Sequence, residues 1–264
     1  MRSVTRREFI KLTAGSTCAC LIGCHGASTP VAAPAYDAAK LMADFDNWLM
    51  VSGAVVTDLL GPDGGAAALV AIRANYADII LQIPWIGGES SRNTYNLLGS
   101  ASSMALIKPL EALGVTPRNI GHTMYLMAQA SFQADGEALQ QQGAYMFDEA
   151  TIDGMRQGAV WSQKRVYAGD FVFDFVEPQS GHAYGIKMTE CAIQKFYRQQ
   201  NLDKYVRYNC LLDYPMYQIM GVHLDRTQTL GNRGTSCDFN YLATGLTPDG
   251  WPPENRPEFS GDPA

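Results

Sequence analysis

The hydrophobic repeat changes once along this chain, and that change limits what it can fold into. Between residues 38 and 132 apolar side chains recur three and four apart, the pattern of helices with one buried face. Leu41, Phe45, Trp48 and Leu49 form one such stripe, and Leu69, Ile72, Tyr76, Ile79 and Ile80 form the next. From Phe171 the repeat shortens. Phe171-Val172-Phe173-Asp174-Phe175-Val176, ended by Pro178, reads as a strand. Helices first and strands later give an α+β layer architecture. The expectation is an N-terminal helical half packed on an antiparallel sheet with two inserted helices.

Gly and Pro divide these segments. Gly61-Pro62-Asp63-Gly64-Gly65 ends the first helix, and a second runs over about 66–81. A third covers 93–113 with an interruption near Pro109, and Thr116-Pro117 opens a fourth that runs through Phe132. Gln140-Gln141-Gln142-Gly143 reads as a loop. In the second half, residues 183–188 fit a partner strand and Thr189 fits the N-cap of a helix reaching about Gln200. A further helix over 202–220 bends at Pro215. Strands over 223–230 and 236–242 then form a hairpin across Gly231-Asn232-Arg233-Gly234.

The chain has 264 residues, 47% hydrophobic and 17% charged, enough for one sizeable core. Its net charge of −6, with no run of Lys and Arg to neutralise phosphates, excludes nucleic acid as a partner. Thr5-Arg6-Arg7-Glu8-Phe9-Ile10-Lys11 looks like a twin-arginine export signal, followed by an apolar run to Gly23 too short to span a bilayer. Leu21-Ile22-Gly23-Cys24 resembles a lipobox, which implies lipidation at Cys24; cleavage after Ala33-Pro34-Ala35 is the alternative. These motifs divide the chain into a signal peptide at 1–23, a lipidated tether at 24–37, a domain at 38–246 and a disordered tail at 247–264. The expected partners are the export machinery and, through the lipid, a membrane surface in the periplasm.

Within the domain there is no G-x-S-x-G, H-E-x-x-H, Walker loop, G-x-G-x-x-G or C-x-x-C. The candidates for chemistry lie between residues 181 and 241. With Thr189 as N-cap, Cys191 occupies the second helical position, where free N–H groups favour a thiolate. Cys210 and Asp213 share a helical face as a thiol and carboxylate pair, or Asp213 caps the segment after it. Cys237, Phe239 and Tyr241 alternate onto one face of the last strand, with Asp238 on the other. Arg226 among apolar strand neighbours needs an anion, from either the protein or a substrate. His122 reads as a capping or core histidine. Zinc is a rival reading for three cysteines and two nearby histidines, but cysteine separations of 19 and 27 residues lack the close pair of most structural zinc sites. No cofactor is expected.

The order Cys191, Cys210-x-x-Asp213, Arg226-Thr227-x-Thr229-Leu230 and Gly234-x-x-Cys237-Asp238-Phe239 resembles the L-2-amino-thiazoline-4-carboxylate hydrolase family, as does Ile83-Pro84-Trp85-Ile86-Gly87-Gly88 upstream. The resemblance implies opening of a C–N bond in a small cyclic amidine by water. The corresponding expectation makes Cys191, Cys210, Asp213 and Cys237 catalytic, and Arg226, Asp238, Thr229 and His182 substrate-binding. In it, Arg226 holds a substrate carboxylate and Asp238 holds an amidine nitrogen. A weaker similarity to vinyl-reductase-like domains, which also end in a Cys-x-Phe strand, implies a ligand-binding module without turnover.

Overall fold

A computed structural model describes residues 35–88, 92–179 and 181–262; the export motif, Cys24 and nearly all of the tether lie outside them. The helical half begins with α1 (Ala38–Ser52), capped by the Asp37 side chain, which accepts from the Lys40 N–H. Next, α2 (Ala54–Ile80) is long and apolar enough to cross a membrane by composition. Gly61 breaks it, however, with φ 76° and ψ 170°, and Val56, Ala68, Ile72, Tyr76 and Ile79 are buried in the core. Only glycine adopts that backbone at little cost, and Pro62 then opens the second segment where a missing N–H costs nothing.

After α3 (Arg92–Met104) the expected interruption falls at Ala105 and Leu106, and α4 (Ile107–Ala112) carries Pro109 within its first turn. The fourth expected helix is α5 (Pro117–Ala134), and Thr116 caps it by accepting from the Asn119 N–H. The glutamine run expected as a loop is instead α6 (Gly136–Ala144), stabilised by packing of Leu139 and Gly143 against the second half. α7 (Glu149–Ser162) then leads to the sheet.

The sheet comprises β1 (Val172–Val176), β2 (Tyr184–Glu190), β3 (His223–Asp225) and β4 (Cys237–Leu242), all antiparallel in the order β1-β2-β4-β3. Register places Met188 opposite Cys237, Ile186 opposite Phe239 and Tyr184 opposite Tyr241, so these six share the inner face. Lys187, Asp238, Asn240 and Asp225 fall on the outer face, the usual division of a sheet wet on one side. Between β2 and β3 lie α8 (Ala192–Gln199), α9 (Val206–Asn209) and α10 (Asp213–Met220), the last two joined by a tighter turn at Cys210–Leu212. The protein is α+β.

Four further local expectations change. Strand β2 continues through Thr189, whose hydroxyl donates to the Val172 carbonyl, so Cys191 and not Thr189 is the N-cap of α8. The helix over 202–220 breaks at Cys210–Leu212; Pro215 sits in the first turn of α10, where it costs no hydrogen bond. The hairpin is shorter than expected: only His223–Asp225 pair with β4, because the Asp238 carboxylate accepts the Thr227 and Gln228 N–H groups and turns the chain out of the sheet after Asp225. Finally, the tail is not loose. Pro253 and Glu258 are buried and Trp251 and Phe259 pack against the helical core, so residues 247–262 form a strap across α5, α9 and α10.

The chain crosses itself most closely where α6 meets α10, at Gly143, where an added Cβ would lie 1.9 Å from the Met220 carbonyl oxygen. Gly143→Ala should lower stability by about 1–3 kcal/mol through overpacking. Gly154→Ala, in a helix where a Cβ meets nothing within 4 Å, should be neutral or stabilising. Denaturant midpoints of the two variants check this.

Candidate functional site

Three separate pieces of chain bring the thiols to one place. Cys191 caps α8 directly after β2, Cys210 opens the turn between α9 and α10, and Cys237 starts β4. The thiols are free, and each acts electrostatically on another: Cys210 on Cys191, Cys237 on Cys210, and Cys191 on Cys237. Cys191 and Cys210 are half-buried, whereas Cys237 is buried with its sulfur accepting the Leu230 N–H at 3.3 Å. The 226–236 loop closes over them. Gln194 of α8 donates to the Leu230 carbonyl at 2.9 Å, and a Cβ at Gly231 would come within 3.0 Å of the Cys210 sulfur. The loop can approach that closely only with glycine there.

Beneath the thiols is Arg226, with none of its side chain exposed. Its Nη1 donates to Asp213 Oδ2 at 2.6 Å and its Nη2 to the Cys210 carbonyl at 2.7 Å. Nε and Nη2 both donate to Glu258 Oε1, at 3.2 and 3.0 Å. The guanidinium lies over the Tyr214 and Phe239 rings at 5.1 and 5.2 Å. A cation this enclosed requires such neighbours, since unpaired charge in the interior costs several kcal/mol. The anion demanded by Arg226 is therefore the protein's own. The substrate-carboxylate role expected for Arg226 does not fit, because each of its three nitrogens already has a protein partner and the side chain reaches no open space.

Asp213 differs from its partner. Its side chain is 31% exposed, and among the described residues no donor reaches its Oδ1. Burial raises its carboxyl above the ordinary carboxylate range, against the pull of Arg226, and Glu258 adds to the rise. Burial likewise pushes each of the three thiols up to about 12. The N–H groups of Gln194 and Ile193 oppose this at Cys191 without overcoming it. The thiolate expected at a helix start is thus absent at neutral pH, because desolvation outweighs one turn of helix.

A scan of family models matches residues 99–241 to L-2-amino-thiazoline-4-carboxylic acid hydrolase, more than half of the chain. The chain belongs to that family. No curated protein and no solved structure matches it. Membership supports a hydrolase in general terms. The matched span of the hydrolase family carries Cys191, Cys210, Asp213, Arg226 and Cys237, whereas Glu258 lies beyond it.

The remaining expected residues are more dispersed. Thr229 is fully buried, its hydroxyl beside Cys210 and accepting from Asn232 Nδ2 at 3.0 Å. Asp238 is committed to the Thr227 and Gln228 backbone and the Thr227 hydroxyl, on the sheet face opposite Cys237, so the amidine role does not fit it. His182 pairs with Asp225 at 3.4 Å near the other end of β2. At about 3.3 Å per strand residue, that is roughly 20 Å along the sheet from the Met188–Cys237 pair. His122 stacks on Trp251 at 4.5 Å and lines a groove of about 420 Å³ with Asp58, Asn119 and Gln129, which holds none of the thiols. Among the described residues no three His, Cys, Asp or Glu side chains gather as a metal-holding group, so the zinc reading has no ligand set there. Sequence reasoning missed Glu258. The signal was present in Trp251 and Phe259, large apolar residues on either side of it in a stretch read as disordered.

The raised thiols predict a stability profile. An ordinary thiol titrates near 9.0 and these near 12, so between those values the folded state holds protons that the unfolded chain has released. Their contribution is complete below about pH 9 and is lost as pH rises toward 12. Buried Tyr208 and Tyr214, also pushed up by burial, act in the same direction. Urea titrations at pH 8 and pH 10.5 should show the loss, and a Cys191→Ala, Cys210→Ala double variant should show a smaller one.

Proposed function

We propose that this chain opens a C–N bond of a small cyclic amidine of the 2-amino-thiazoline-4-carboxylate type, with water as nucleophile and Asp213 as general base. One observation carries the reading: Asp213 is partly exposed, with one oxygen fixed by Arg226 and the other without a donor among the described residues, and its charge reaches two half-buried thiols. A base held at one oxygen has its second aimed, and a carboxyl raised toward neutrality accepts a proton more readily.

In this mechanism Asp213 Oδ1 takes a proton from water as the water oxygen bonds to the amidine carbon. The C=N π pair moves onto the ring nitrogen, which takes up the proton held by Asp213. The carboxylate then removes the remaining hydroxyl proton and passes it to that nitrogen as the ring C–N bond breaks with its electron pair on nitrogen. A carbonyl remains on carbon, the net change is addition of one water, and the carboxylate is restored. The neutral thiols of Cys191 and Cys210 face the substrate as weak donors. Direct attack by either is less well supported, since about 12 leaves little thiolate at neutral pH. Cys237 holds the closing loop through the Leu230 N–H.

The same neutral thiols also suit a ligand-binding module, under which calorimetry should find cyclic amidines bound without turnover. Under the hydrolase reading, Asp213→Asn lowers kcat by about 10²–10⁴-fold. Cys191→Ser and Cys210→Ser should keep turnover within roughly tenfold, as expected of weak donors rather than a nucleophile. The acid limb of kcat against pH should lie above the ordinary aspartate value of 3.8, with rate lost as pH falls through it. Full turnover in Asp213→Asn ends the proposal. Loss of turnover confined to a serine variant transfers the attack to that sulfur.

A further inference from the structure

We propose that the C-terminal strap is a working part of this site, with Glu258 as a positioning residue that holds Arg226 so that Arg226 aims Asp213. The inference rests on the general-base reading of Asp213 and extends it to a segment outside the family match.

The geometry is a relay of three charged groups. Glu258 Oε1 receives Nε and Nη2 of Arg226, and Arg226 Nη1, on the other branch of the guanidinium, reaches Asp213. A planar guanidinium gripped through two nitrogens has its third nitrogen fixed in direction. The Tyr214 hydroxyl also donates to Glu258 Oε1, so that single oxygen collects three donors. Glu258 Oε2 is buried and has no partner among the described residues. A carboxylate placed only to satisfy its hydrogen bonds would share those donors between both oxygens. Here one oxygen is turned wholly toward the arginine.

The strap is held firmly enough to serve as a support. Phe259 packs beside Tyr208 at 6.2 Å, Ser260 N donates to Asn232 at 3.2 Å, and Tyr208 donates to Asp262 at 2.7 Å. Arg207 donates to the Gly261 carbonyl. Arg118 pairs with both Glu254 and Asp262 at the surface. Ordering these residues has an entropic cost, and they deliver one carboxylate to the Nε and Nη2 edge of Arg226.

The test compares Glu258→Gln with Glu254→Gln, which loosens the same strap without touching Arg226. Two readouts are taken on the full chain: kcat and KM against pH on a 2-amino-thiazoline carboxylate, and the Asp213 titration by difference infrared against Asp213→Asn. The groups interacting with Asp213 are Arg226, Glu258, Cys191, Cys210 and Cys237; Tyr214 lies against Arg226 and Glu258, with Arg256 behind its ring. Only Glu258 changes between the wild type and Glu258→Gln. Removing its charge leaves Arg226 to act on Asp213 alone, so the Asp213 titration and the acid limb should both move to lower pH. kcat should fall at least tenfold with KM little changed. Glu258→Asp should recover part of the rate, and Glu254→Gln should move neither readout.

A Glu258→Gln protein that is less stable but has an unmoved Asp213 titration and wild-type kcat would overturn the inference. If the wild type turns over none of these substrates while the infrared titration shifts as described, the hydrolase reading fails and the positioning role stands.

Discussion

A fully buried arginine dominates the second half of this protein. Desolvating a guanidinium and then removing either of its carboxylates would cost about 3–5 kcal/mol, enough to threaten a domain of ordinary stability. The chain answers with anions from both sides: Asp213 from the first turn of α10, thirteen residues before Arg226, and Glu258 from the strap, thirty-two residues after it. Two aromatic faces, Tyr214 and Phe239, complete the enclosure and connect it to α10 and to β4. Loop, helix, strand and strap are thereby fixed against one another at a single point.

The thiols owe their surroundings to the same point. Cys210 offers its carbonyl to Arg226, which sets the turn between α9 and α10 and with it the direction of the sulfur. Cys237 sits two residues before Phe239, on the same inner face of β4. Cys191 is carried in at the end of β2, whose Met188 is opposite Cys237. Close packing keeps these groups neutral, and the partly exposed carboxyl of Asp213 becomes the most available proton acceptor among them. The fold therefore supports base chemistry with water more directly than a resting thiolate.

Much of this was legible in the sequence, for physical reasons that can be named. Leu41 and Phe45 mark a buried helix face because a 3.6-residue repeat has no other use, and Thr116-Pro117 begins a helix because both residues suit its first turn. The alternation Cys237, Phe239, Tyr241 gives the inner face of β4 because strand geometry alternates. Non-local competition was not legible. Asp238 reads as a strand residue, yet its carboxylate captures the N–H groups of Thr227 and Gln228 and ends β3 at Asp225. Arg226 announced its need for an anion, but nothing local indicated that Glu258, in a proline-rich segment, would meet it. Cys191 moved from the second helical position to the cap because β2 runs on to Glu190, two residues further than its propensities suggest.

The most direct test of this account is a crystal structure with a non-hydrolysable cyclic amidine bound. The account predicts the amidine beside Cys191 and Cys210, within hydrogen-bond distance of Asp213 Oδ1, with Arg226 still paired to Asp213 and Glu258. A ligand seated instead in the groove beside His122, or one whose carboxylate draws Arg226 away from Asp213, would contradict it.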